Sequence, residues 1–122
     1  MNIKSLSQCG LGTDIESIVR FKNVDQDFLD KIFTKKELDY CRAKSNSAPH
    51  LAARYAGKEA IVKAMGNIKK KIISYKEIEI INTKSGAPIA TIYNNDCRDV
   101  QVKLSLSHCS DKAIAFAIAF TS

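Results

Sequence analysis

A chain of 122 residues and 13.5 kDa has the size of one domain, because two would each sit near the length at which a core becomes marginal. Its 45% hydrophobic and 26% charged residues exclude a fibre or a disordered chain, and its longest apolar run, residues 113–120, is too short to cross a bilayer. The net charge of +6 is uneven: residues 1–61 carry 10 basic and 8 acidic side chains, residues 62–122 carry 9 and 5. Lys63, Lys69, Lys70, Lys71 and Lys76 follow one another with no acid between them. Such a field attracts anions (nucleic acid, a phosphorylated small molecule, an acidic protein) or else serves as a solvated basic loop. Residues 1–10 hold one Lys and no long apolar stretch, so no signal peptide is expected and the chain reads as soluble and cytosolic. Cys9, Cys41, Cys97 and Cys109 contain no CxxC spacing. Neither a disulfide framework nor a structural zinc site is expected, only reduced thiols, some of them buried.

In chain order, residues 3–13 predict an opening strand that ends in a glycine-punctuated turn at Gly10-Leu11-Gly12-Thr13-Asp14. Ile15, Ile18 and Val19 then give short helical spacing up to Arg20, and Phe28, Leu29, Ile32 and Phe33 a second helical piece. Thr34 and Glu37 form a capping-box pair that starts a helix over 35–44. Ser45-Asn46-Ser47 breaks it. With Ser47 as N-cap and Pro49 in the first turn, the longest helix runs to about Met65, with Gly66 as its stop. Residues 75–83 are β-branched and aromatic, 84–88 signal a turn, and 89–93 form the return strand. Residues 100–107 alternate Val102, Leu104 and Leu106 with Gln101, Lys103 and Ser105. After a turn at 108–112, residues 113–120 read as a strand buried on both faces or nearly so. Helices first and antiparallel strands after make an α+β fold, with helices packed on an antiparallel sheet. No repeat or linker divides residues 1–122, so one domain is expected.

Three clusters carry reactive groups. The first is Asp14 with Glu16 and Arg20 behind it; Asp14 also reads as a plain helix N-cap. The second is mid-helix, where Tyr55, Glu59 and Lys63 are spaced i, i+4, i+8 along one face. Glu59 and Lys63 could be no more than a surface ion pair. Yet Ala52, Ala53, Ala56, Gly57, Ala60 and Ala64 around them let other backbone approach closely, so Glu59 is expected to be partly buried and in need of a partner. The third is Ser105-Leu106-Ser107-His108 at a strand end. Cys109 beside His108 invites a Cys–His nucleophile reading, but sequence neighbours rarely form such a dyad and no orienting Asn or Asp is identifiable.

In order and spacing these clusters resemble the holo-[acyl-carrier-protein] synthases, the small phosphopantetheinyl transferases. Gly12-Thr13-Asp14 through Arg20 looks like the family's G-x-D-x-x-x-x-x-R opening, and Phe33-Thr34-Lys35-Lys36-Glu37-Leu38 its F-T-x-x-E-L segment. Leu51 to Ala60 with Lys63-Ala64 is similar to its central L-A-x-R-[FY]-A-x-K-E-A-x-x-K-A helix. Gly86-Ala87-Pro88 matches its G-x-P hairpin, and Ser105-Leu106-Ser107-His108 its S-[IL]-[ST]-H motif. The resemblance implies transfer of the 4′-phosphopantetheine arm from coenzyme A to a serine of an acyl carrier protein, supporting fatty acid biosynthesis. It assigns Asp14 and Glu59 to Mg²⁺, which typically takes one or two carboxylates together with waters and phosphate oxygens. It assigns Lys63 to the transferring phosphoryl group, Lys58 and His108 to the coenzyme phosphates, and Arg20 to the carrier. The base that deprotonates the serine stays open between a water on the metal and Glu59 acting through one. Family members are typically homotrimers. The chain departs from the family where the first helix often carries further arginines: it has Lys22 and then Asp25, Asp27 and Asp30, so carrier docking would lean on Lys31, Lys35 and Lys36. Lys69 to Lys71 offer a partner to the coenzyme 3′-phosphate. A basic RNA-binding module is the rival class, but no RNP-like strand, GxxG loop or zinc knuckle is present, and no nucleic acid or membrane partner is expected. An inactive scaffold would have no reason to keep Asp14, Glu59 and Lys63 together.

Overall fold

Strand β1 (Cys9–Ser17) leads through a 3₁₀ turn (Ile18–Phe21) into helices α1 (Gln26–Ile32), α2 (Lys35–Arg42) and α3 (Ala48–Asn67). A 3₁₀ turn (Tyr75–Glu77) precedes the hairpin β2 (Ile78–Asn82) and β3 (Pro88–Ile92). Strands β4 (Val100–His108) and β5 (Lys112–Thr121) complete the chain. The structure, a computed structural model, describes residues 8–121; residues 3–7 of the expected opening strand lie outside them. All pairing is antiparallel, in a three-stranded sheet of order β1-β5-β4 and a two-stranded sheet β2-β3. This is the expected α+β architecture.

Small residues decide how the layers meet. Helix α3, 20 residues and about 30 Å long, lies along β1 and β5. Period-two alternation in β5 turns Ala113, Ala115, Ala117 and Ala119 toward the helix, each at most 1% exposed. In β1 the matching positions are Gly10 and Gly12, paired with Ala119 and Ala117. A Cβ on Gly10 would stand 1.8 Å from the Ala64 carbonyl oxygen, and one on Gly12 1.8 Å from that of Ala60. These glycines therefore seat a helix on a strand. The turn expected at Gly10 to Asp14 does not form: β1 runs straight through it, and of the glycines described only Gly86, in the β2–β3 loop, has positive φ, at 91°. Asp14 is accordingly mid-strand and not a helix N-cap, and the helical spacing expected from Ile15 shrinks to the single turn Ile18–Phe21.

The capping box at Thr34 and Glu37 forms as expected, and starts α2. Ser47 occupies the N-cap position of α3 without a side-chain bond; its carbonyl accepts from Leu51 N–H at 2.9 Å. Gly66 does not stop the helix. The turn closes one residue later as a Schellman motif, with Lys69 N–H on the Gly66 carbonyl at 3.2 Å and Lys70 N–H on that of Met65 at 2.9 Å. The left-handed residue this motif requires is Lys69, at φ 59°.

Between the helices and the hairpin sits a buried ion pair, Lys58 and Glu37, both 0% exposed. Lys58 Nζ donates to Glu37 Oε1, Ile32 O and Ile78 O at 2.7 Å each and lies 3.0 Å from Tyr75 O. Glu37 also accepts the N–H groups of Thr34 and Ile80, both at 2.9 Å. One charge pair thus ties the end of α1, the start of α2, the middle of α3 and strand β2 together. Cys41 and Cys97 are buried thiols and Cys109 is exposed, none of the three in a disulfide. Strand β5 departs from expectation on its second face. Ile114 and Phe116, with Leu11 and Ile15 of β1, are 42–59% exposed, so the sheet is sealed by α3 on one side and open on the other.

Candidate active site

The side of β1 that meets α3 continues past Gly10 and Gly12 to Asp14 and Glu16, because side chains two apart share a face. Gly10 lies against Ala64 and Gly12 against Ala60, so strand and helix run in opposite directions. The outer stripe of α3, Tyr55, Glu59 and Lys63, then borders the two acids. Lys63 Nζ donates to the Thr13 carbonyl at 2.9 Å and stands 3.4 Å from Asp14 Oδ1. Asp14 Oδ2 is buried and has no hydrogen-bond partner among the described residues. Glu59 accepts a hydrogen bond from the Tyr75 hydroxyl, and Glu16 one from Arg20 Nη1 at 3.0 Å.

Locally, negative charge is in excess on a chain that is basic overall. Burial raises the Glu16 carboxyl to about 7, and Asp14 beside it pushes the same way while Arg20 opposes. Glu59 is raised as well, first by burial and then by Asp14, with Lys63 and Arg20 pulling it down. Two carboxyls raised by burial and by the charge of Asp14, with a buried Asp14 oxygen unsatisfied among the described residues, form a site with unmet demand for a cation. Oxygen-only donors suit a hard divalent ion such as Mg²⁺. Among the described residues no cage of three or more ligating side chains is gathered, an arrangement in keeping with Mg²⁺, which usually takes one or two carboxylates and fills its shell with water and phosphate.

Around this centre the surface is shaped. A hollow of about 270 Å³ is lined by Thr13, Asp14, Ile15, Lys63 and Ile114; another of about 340 Å³ opens beside Tyr75, between Lys31, Ile32, Val62 and Ile72 to Ser74. Arg20 sits beside Glu16, half exposed, its guanidinium 5.0 Å from the Tyr55 ring centre and 5.6 Å from that of Phe28. Phe21, Phe28, Tyr55 and Tyr75 form the aromatic wall behind it, with ring centres 5.6 to 6.3 Å apart in successive pairs.

Asp14, Glu59, Lys63 and Arg20 are thus brought together, and two of the other sequence candidates are not. His108 ends β4, where the strand registers put Glu16, Ala113 and His108 in one row, two strands or about 10 Å apart. It borders a separate cleft of about 180 Å³ with His50, Arg54, Asn82 and Pro88, its ring 6.4 Å from that of His50. Lys58, expected at the coenzyme phosphates, is instead sealed in the core with its ammonium fully engaged, and burial holds its pKa below the usual lysine range. Lys70 is tied to the Asp96 carbonyl at 2.9 Å and to Asp99 at 3.2 Å, leaving Lys69 and Lys71 as the exposed pair of the Lys69-Lys70-Lys71 triplet. The Cys109 thiol donates to Asp111 and not to His108. Of two further members of the site, Glu16 stood in the first sequence cluster without a role and Tyr75 was not singled out. Glu16 was signalled by its two-residue offset from Asp14 once that segment is a strand; Tyr75, 16 positions from Glu59, had no local signal.

The whole of this frame recurs elsewhere. Holo-[acyl-carrier-protein] synthases of Protochlamydia amoebophila and Chlamydia felis are 39% and 40% identical over 116 residues, covering 89% of this chain and 95% and 94% of theirs. A solved acyl carrier protein synthase of Mycobacterium tuberculosis superposes with a TM-score of 0.72 at 33% identity, covering 93% of this chain and 97% of the other. The holo-[acyl-carrier-protein] synthase of Helicobacter pylori, solved in complex with coenzyme A, gives 0.73 at 28% identity, with 92% and 99% covered. The family model of the 4′-phosphopantetheinyl transferase superfamily matches residues 10–119. That span runs from the first glycine seat of β1 to the last alanine of β5 and takes in both walls of the acidic cleft: the chain belongs to the 4′-phosphopantetheinyl transferase superfamily.

Proposed function

We propose that the chain transfers the 4′-phosphopantetheine group from coenzyme A to a serine of apo acyl carrier protein, releasing adenosine 3′,5′-bisphosphate, in support of fatty acid biosynthesis. The observation that carries the reading is Asp14, half-buried with one buried oxygen unsatisfied among the described residues, facing Glu59 and Lys63 across the seam of β1 and α3. Family membership and the coenzyme A complex of the Helicobacter pylori relative support it. Asp14 and Glu59 would hold Mg²⁺. A bound ion there would supply positive charge to offset the negative charge developing on the bisphosphate leaving group.

The chain's own residues do the rest. Lys63, half exposed beside Asp14, neutralises the phosphoryl group in flight and keeps it near the carboxylates. His108 and its cleft receive the coenzyme at the phosphate remote from the reaction, so that the diphosphate lies toward Asp14. Arg20, fixed by Tyr55 and Glu16, meets the acidic carrier protein and orients its serine; complementary charge speeds encounter and sets register. The open sheet face, with Leu11, Ile15, Ile114 and Phe116, is covered by further copies of the chain in a homotrimer. Among the described residues no helix is long and apolar enough to cross a membrane, and the site of action is the cytoplasm.

Incubation of the protein with coenzyme A, Mg²⁺ and an apo carrier protein, followed by mass spectrometry of the carrier, tests the reading. A gain of one phosphopantetheine unit, abolished by a chelator, is expected. An unmodified carrier overturns the assignment, and modification in the presence of chelator overturns the metal.

A further inference from the structure

Glu59 is gripped by a residue outside every motif named above. Tyr75 opens the 3₁₀ turn before β2 and is held at three points. Its carbonyl lies 3.0 Å from the Lys58 ammonium, its ring packs against Tyr55 at 5.9 Å between centres, and the Ser74–Glu77 capping box fixes the turn it begins. Its hydroxyl has one hydrogen-bond partner among the described residues, Glu59 Oε1. A phenylalanine would make the ring and carbonyl contacts equally well. The fold therefore has no use for the hydroxyl, and its sole contact is with a carboxylate of the site.

We propose that Tyr75 is a positioning residue: its hydroxyl holds one oxygen of Glu59 and leaves the other free for the divalent cation that Glu59 shares with Asp14. This rests on the metal reading above. A free glutamate on the outer stripe of a helix samples several rotamers, and ordering it when the ion arrives costs conformational entropy. A bond from a rigidly seated phenol orders it beforehand, so more of the ion's interaction with the carboxylates appears as affinity. The Lys58 knot gives the same side chain a second use: the charge pair that ties the helices to β2 also fixes the main chain from which Tyr75 reaches Glu59.

The test is Tyr75→Phe in the full chain, with Mn²⁺ alone as the probe. Mn²⁺ binding is followed by electron paramagnetic resonance, with Glu59→Gln and the double variant alongside. A hydrogen bond to a charged group is worth about tenfold in an equilibrium constant. Tyr75→Phe is expected to weaken Mn²⁺ binding by about that factor. It should also raise the Mg²⁺ concentration giving half-maximal transfer while leaving the carrier Michaelis constant unchanged. In the Glu59→Gln background the same change should add no further loss. If Glu59→Gln abolishes Mn²⁺ binding but Tyr75→Phe binds as the unmodified chain does, even with a lowered melting temperature, the positioning role is overturned and the metal reading stands. If Glu59→Gln binds Mn²⁺ as the unmodified chain does, the metal reading fails and takes the positioning role with it.

Discussion

Replacing Gly12 by alanine adds one methyl group at one of the two glycine seats where β1 touches the main chain of α3. The new Cβ would stand 1.8 Å from the Ala60 carbonyl oxygen and 2.9 Å from the Ala64 nitrogen, and contact becomes ordinary only at 3.4 Å. Helix α3 must therefore retreat from β1 by about 1.6 Å, because the atoms in the way are main chain and cannot rotate aside. Overpacking of this kind costs about 1–3 kcal/mol, and the upper end is expected where a backbone has to move. The retreat also carries Glu59 and Lys63 away from Asp14. A displacement of about 1 Å at reacting groups costs about 100-fold in rate, so Gly12→Ala should lose at least that factor in transfer while remaining folded. Gly66→Ala is the control: its new Cβ has nothing within 4 Å, and removing a helical glycine should stabilise by about 0.5–1 kcal/mol with activity unchanged. Urea unfolding and the carrier-mass assay measure both variants. A Gly12→Ala protein with the original urea midpoint and the original rate would refute the glycine-seated seam.

Asp14→Asn should abolish transfer and yet stabilise the metal-free chain, because it relieves the repulsion on Glu16 and Glu59. Glu16 has a folded pKa raised from 4.5 to about 7, so the native state holds its proton more tightly than the unfolded chain does. The stability this contributes is full below pH 4.5 and is lost as pH rises through about 7. The loss is at most about 3 kcal/mol, and the lead of Asp14→Asn in urea midpoint should widen over that window. Lys58→Met leaves Glu37 charged and alone in the core and should cost about 3–5 kcal/mol; a raised coenzyme Michaelis constant with no change in stability would instead restore Lys58 as a coenzyme ligand. Lys69→Gly removes a side chain from left-handed backbone and should raise the urea midpoint by the equivalent of about 1 kcal/mol, while a raised coenzyme Michaelis constant reports the loss of a partner for the 3′-phosphate.

Where local chemistry decides structure, the sequence was readable. The Thr34–Glu37 capping box, the long alanine-rich helix, the β2–β3 hairpin and the alternation of β4 all depend on residues close in the chain. Gly10 and Gly12 were misread because a glycine that turns the chain and a glycine that admits a neighbour are the same letter; the difference lies in Ala60 and Ala64, some fifty positions away. Lys58 was misplaced for a related reason. Small residues surround it on every side of α3, so nothing in the helical spacing separates its buried face from the stripe that carries Glu59. The motifs identified Asp14, Glu59, Lys63 and Arg20 as a group, and the structure gathers those four. Tyr75 and the Glu37–Lys58 knot arise from contacts between distant segments that no spacing rule encodes.

The row Glu16, Ala113, His108 has a consequence for what the protein can recognise. A ligand that engages both the acidic cleft and the His108 cleft must bridge about 10 Å of sheet, so the fold acts as a ruler. Inorganic phosphate reaches one end only. In the proposed reading, a molecule with a phosphate on the cation of the acidic cleft and another at His108 would bind the second cleft at the high effective concentration set by the first. Selection is then by length between charges, with no need for either cleft to be strongly selective on its own.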